Sequence, residues 1–197
     1  MKTSFEKFAG WGAIFAGLSG FLYSISFIVL QDDLLSALFL MLGGLFSTSA
    51  LTALYQRLRG TESGFALLGL LLSLSAALGS AIHGGYDLAN ALHPPDSSTA
   101  GPNAIDPRGL LTFGVSGLGL FLLSWLLTQD IRYPKGLAYL GYLSAILMIV
   151  LYLGRLIILQ ATNLAIVVPA LLEGFIVNPI WYVWLGLTFF RSQSPSK

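Results

Sequence analysis

The chain is 197 residues long, 55% hydrophobic and only 10% charged, with a mean hydropathy of +0.79. A soluble domain carries about 25% charged residues, so this composition cannot coat a water-exposed globule. A net charge of +1 offers no basic footprint for nucleic acid, and the lack of cysteine excludes disulfides, haem attachment, iron–sulfur clusters and thiolate zinc sites.

What remains is an all-α polytopic membrane bundle, a single domain over 1–197 with no cofactor indicated. A spanning helix needs about 20 mostly apolar residues, because lipid satisfies none of its backbone polar groups. Six stretches meet that length: 8–30, 34–55, 64–86, 109–128, 136–159 and 169–190. The first is too long for a signal peptide, and Gln31-Asp32-Asp33 follows it in place of a small-residue cleavage site.

Six spans put both termini on one side. All Lys and Arg except Arg108 and Arg155 fall at the termini or in the second and fourth connections, among them Lys2, Lys7, Arg57, Arg59, Arg132 and Lys135. The positive-inside rule therefore predicts cytoplasmic N- and C-termini and a multi-pass protein of the plasma (inner) membrane. Trp11, Trp125, Phe189 and Phe190 stand where interfacial anchors belong.

Within the first helix, Ala13/Gly17 and Ala16/Gly20 form small-residue pairs. The third helix carries Gly69, Ser73, Ala77, Ala81 and Gly85, a small residue at every fourth position, which predicts the closest helix contact of the bundle. Ala16–Leu22 weakly echoes Gly114–Leu120, the kind of internal similarity that inverted repeats leave.

The ionisable residues gather toward the predicted outer end. At 1.5 Å per residue His83 lies roughly 28 Å along the third helix. His83, Asp87 and Asn90 share one face if that helix continues outward, with Ala76, Gly79 and Ser80 leaving room below them. The connection 93–108 is rich in Pro, Ser and Gly and reads as a long outward loop. The fifth helix supplies Tyr152 and Arg155. The sixth is expected to begin at Pro169, which places Glu173 one turn inside and opposite Arg155. An unpaired charge at that depth is expensive, so Arg155 and Glu173 are expected to pair. Pro179 should remove a backbone hydrogen bond to Phe175, with Asn178 able to answer the freed carbonyl.

The expected site is thus His83, Asp87, Asn90, Tyr152, Arg155 and Glu173, with Tyr86 and His93 nearby. It suits a small polar ligand or a lipid headgroup, bound or transported from the outside. Two alternatives stand beside it. The cluster could be a structural clamp between helices, or His83, Asp87, His93 and Glu173 could hold zinc for hydrolysis of a lipid amide or ester. No phosphate loop, nucleophile elbow or His-Glu-x-x-His helix occurs, so the sequence leans away from an enzyme. The bilayer and a small ligand are the expected partners; homo-oligomerisation stays open.

Tyr133-Pro134-Lys135-Gly136-Leu137, an aromatic-Pro-basic-x-Leu turn, and Pro169-Ala170-Leu171-Leu172-Glu173 resemble motifs of a family of small bacterial six-helix integral membrane proteins known only as a domain of unknown function. The resemblance covers the chain from Tyr133 onward together with the six-span layout. It implies a fold and an inner-membrane location, and no activity.

Overall fold

The computed structural model describes residues 4–93, 107–158, 160 and 162–191, without the side chains of 107–110. Most of the 93–108 loop therefore lies outside the described residues. Six helices are long and apolar enough to cross a membrane, the architecture of a multi-pass membrane protein. They are α1 Ser4–Leu30, α2 Asp33–Leu58, α3 Ser63–Leu92, α4 Pro107–Gln129, α5 Lys135–Ile158 and α6 Leu164–Phe190.

Each helix packs on its neighbours in sequence, and α6 returns to α1, so the bundle closes into a ring. The near end holds Ser4, Phe190 and the connections after α2 and α4; the far end holds the last turns of α1, α3 and α5 and the first turns of α2, α4 and α6. Outward-facing side chains such as Val29, Ile82, Ile157 and Leu164 are exposed and apolar, which suits lipid and not water.

Local chemistry sets the helix ends. Gln31 turns the chain with a φ of 53°, and the Asp32 carboxylate then accepts from the Leu35 N–H at 2.9 Å, capping α2. Asn163 caps α6 in the same way, its Oδ1 accepting from Ala165 N–H at 2.9 Å. This cap corrects the expected start of the sixth helix. Because Asn163 caps the Ala165 N–H, α6 begins at Leu164, and Pro169 lies inside the helix instead of opening it. α3 runs on to Leu92, past the expected end at Tyr86, so His83, Asp87 and Asn90 do share one continuous helix.

Small residues set the packing, but the α3 row serves two neighbours. Toward the far end it meets α2: a Cβ on Gly44 would sit 2.5 Å from the Ala77 carbonyl oxygen, and one on Gly84 would sit 2.5 Å from Met41 N. Toward the near end it meets α4, where Gly119 lies against Ser73 and Gly69 against Leu123. Gly84, not Gly85, is the residue in backbone contact with α2; Gly85 has only the Met41 sulfur within reach. On α1, Gly17 lets the Pro179 carbonyl of α6 approach to 2.9 Å of where its Cβ would be.

The large buried side chains collect at the near end. Leu54, Leu58, Leu123, Leu127, Leu137 and Trp181 form a closed apolar floor. Arg57 bonds Glu6 at 2.9 Å and lies 4.9 Å from the centre of the Phe189 ring, which fastens α1, α2 and α6 there. Beside it, the Arg132 guanidinium donates to both Asp130 oxygens and to the Arg57 carbonyl. Burial pushes the Asp130 carboxyl up, yet the hydrogen bonds from Arg132 outweigh it and hold the group below its ordinary 3.8. Burial pushes the neighbouring Tyr133 hydroxyl up to about 12. Tyr133 is thus the buried residue of the Tyr133-Pro134-Lys135 corner, where Leu137 N–H donates to Pro134 O to start α5.

Candidate functional site

Above the apolar floor the ring encloses a cavity of about 1280 Å³ that reaches the far end. Its depth follows from α2, whose lining residues extend from Asp33 to Leu51, about 27 Å at the helical rise. Every helix contributes to the wall. Phe39, Leu40, Phe113, Met148 and Leu151 make most of it apolar, and Ser47, Ser73, Ser80, Thr112 and Ser116 add hydroxyls.

Five of the six expected site residues line this one cavity: His83, Asp87 and Asn90 from α3, Arg155 from α5 and Glu173 from α6. They occupy two levels. Near the far end, His83 Nε2 lies 3.2 Å from Asp87 Oδ2, with Asn90, Arg155, Gln31 and Asp33 around the mouth. Tyr152 is elsewhere: its ring lies over Gly114 of α4, filling the α4–α5 contact. Tyr86 is exposed and outside the lining, and His93 ends α3 as an exposed cap residue.

Glu173 holds the deeper level alone, and here the expected pairing fails. Its Oε1 accepts from Ser144 Oγ–H at 2.5 Å. Ser144 stands eleven residues before Arg155 on the same helix, about 16 Å below it. The early start of α6 is the reason: Glu173 lies nine residues into the helix, about 14 Å from its far end, not one turn. Glu173 is 4% exposed, and its Oε2 is buried without a hydrogen bond among the described residues. Asn178 is the other polar side chain that reaches toward the carboxylate.

The helix itself is altered at this residue. Glu173–Val177 forms a π-helical turn in which the Asn178 N–H donates to the Glu173 carbonyl. Pro179 follows directly and has no N–H to give, so the wide turn absorbs the bond that proline removes. The sequence pointed to Pro179 as a disturbance; it did not show that the extra residue per turn lets Glu173, Val177, Trp181, Leu185 and Phe189 all point into the bundle. Gly174 makes room beside the glutamate, since its Cβ would clash with Ser24 Oγ of α1. Tyr182 lies below on the wall, its hydroxyl directed toward Ser47 of α2. Ser144, Tyr182 and Ser47 were missed because an isolated Ser or Tyr in an apolar helix carries no spacing signal.

Among the described residues no three of His, Asp and Glu come together as a metal-binding group. His83, Asp87, His93 and Glu173 are therefore not a zinc site: Glu173 is too deep, and His93 lies beyond the cavity lining.

No protein-family model, curated protein or solved structure matches the chain. The likeness drawn from Tyr133–Leu137 and Pro169–Glu173 accordingly adds nothing to the reading of the site.

Proposed function

We propose that the chain is a multi-pass protein of the plasma (inner) membrane that binds a small polar ligand or a lipid headgroup in a cavity opening at the outer face. The bias of Lys and Arg toward the near end supports this orientation, with both termini cytoplasmic. The observation that carries the reading is the placement of a buried, incompletely hydrogen-bonded Glu173 on the wall of a cavity of about 1280 Å³. Cavities of a few hundred Å³ or more, mostly apolar with a few polar groups, are where small molecules bind. A membrane-embedded carboxylate is retained against its desolvation cost when it has a task.

A cavity open at one end and shut by a leucine–tryptophan floor at the other also suits one state of an alternating-access carrier, which favours transport as the finer form of the same reading. The bilayer is the partner this reading requires. The clamp alternative draws on the Ser144–Glu173 bond between α5 and α6, but a clamp has no use for an open cavity.

Native mass spectrometry of protein extracted gently from its membrane tests the proposal. A retained small molecule or lipid should be lost in the Glu173→Gln/Arg155→Gln double variant while the fold survives. A pure clamp would retain no ligand and would lose thermal stability with each single change.

A further inference from the structure

Resting on that binding reading, we infer that the deep level of the cavity receives the ammonium group of a small organic amine, with Glu173 as its counter-charge. The argument is one of donors and acceptors. Around Glu173 the free capacity is for accepting: Oε2 is buried without a hydrogen bond among the described residues, Oε1 takes a serine hydroxyl, and the Asn178 amide is the one other donor directed toward the carboxylate. An alkylammonium carries three donors, no acceptor and one positive charge, which complements this set.

An anion finds the opposite. The described basic side chains of the lining, His83 and Arg155, belong to the mouth, and His83 already faces Asp87. The separation also excludes a single zwitterionic headgroup as the occupant of both levels, because Arg155 and Glu173 are offset by about 16 Å along the bundle. The rest of the wall describes the remainder of the ligand. Phe39, Phe113, Leu51, Met148 and Leu151 are apolar, so the amine bears a hydrocarbon or aromatic body. Tyr182 adds an aromatic side chain to the same wall.

A matched pair of probes tests this: 2-phenylethylamine and phenylacetate, titrated calorimetrically into the purified full-length protein. The amine should bind at least tenfold more tightly than the acid. Glu173→Gln should abolish amine binding, whereas Glu62→Gln, an exposed carboxylate at the near end, should bind it like the wild type. A second measurement uses the wild type alone: bound 2-phenylethylamine should protect Glu173 from dicyclohexylcarbodiimide, its peptide carrying neither the acylurea nor the phenylethylamide by mass spectrometry. Preference for phenylacetate, or amine binding that neither needs nor protects Glu173, overturns the inference while leaving a ligand-binding cavity in place. Binding of neither probe overturns it too; the wider binding reading then stands or falls on the ligand retained in native mass spectrometry.

Discussion

Ser144 on α5 donates a 2.5 Å hydrogen bond to Glu173 on α6, and this bond, not an ion pair with Arg155, joins the two helices at the cavity wall. Hydrogen bonds to a carboxylate contribute about 1.5–3 kcal/mol, more than neutral ones. Ser144→Ala should therefore lower stability in detergent by about that amount, and Glu173→Gln, which still accepts from Ser144, should be no less stable than the wild type. Thermal unfolding followed by circular dichroism measures both. A Ser144→Ala variant as stable as the wild type would mean that the bond contributes nothing.

The vertical offset between Arg155 and Glu173 makes a second prediction. Groups more than about 10 Å apart without shared partners have additive effects, within about 0.5 kcal/mol. The double variant Arg155→Gln/Glu173→Gln should match the sum of the singles. Partial recovery in the double variant would restore the ion pair that the sequence suggested.

That offset also shows how far the sequence could be read. The six spans, the shared face of His83, Asp87 and Asn90, and the gathering of polar residues around one space follow from hydropathy, helical period and the cost of burying charge. Registry between helices does not follow, because it depends on where α6 begins. Pro169 looks like a helix start, but Asn163 caps the helix almost two turns earlier, and that earlier start puts Glu173 in the interior instead of at the mouth. Tyr152 was misassigned for a related reason: which face of α5 meets Gly114 is set by packing. The Glu6–Arg57–Phe189 and Asp130–Arg132 contacts were hidden because charges near the ends of spans read as orientation signals.

Backbone proximity at α2–α3 gives a third prediction. Gly84 leaves no space for a side chain, with Met41 N 2.5 Å from its would-be Cβ, and Ala77 lies against Gly44. Gly84→Val and Ala77→Leu should each destabilise by about 1–3 kcal/mol or more, the usual effect of overpacking. Gly60→Ala, where nothing stands within 4 Å of the added Cβ, serves as the control. If Ala77→Leu unfolds at the wild-type temperature, the α2–α3 seam is not the close contact described.

Asp130 at the near end predicts a pH dependence. A carboxyl held below its unfolded value stabilises the fold above that value and loses the contribution as pH falls through the folded one. Asp130→Asn should therefore unfold at a lower temperature than the wild type at neutral pH, and the gap should close as pH drops below 3.8. A gap that stays constant into acid would show that Arg132 does not favour the ionised form.

The central claim is that water-soluble molecules reach the interior from the outer face, and the absence of cysteine makes it directly measurable. Single cysteines at Ser80 and Ser116, both on the cavity wall, and at Ile82, on the outward apolar surface, can be challenged in intact cells with a membrane-impermeant maleimide. Labelling at Ser80 and Ser116 from outside, with Ile82 unreactive in lipid, is the predicted result. Labelling of the two wall positions only after the cytoplasmic side is exposed, or at neither position on either side, would contradict an outward-opening cavity.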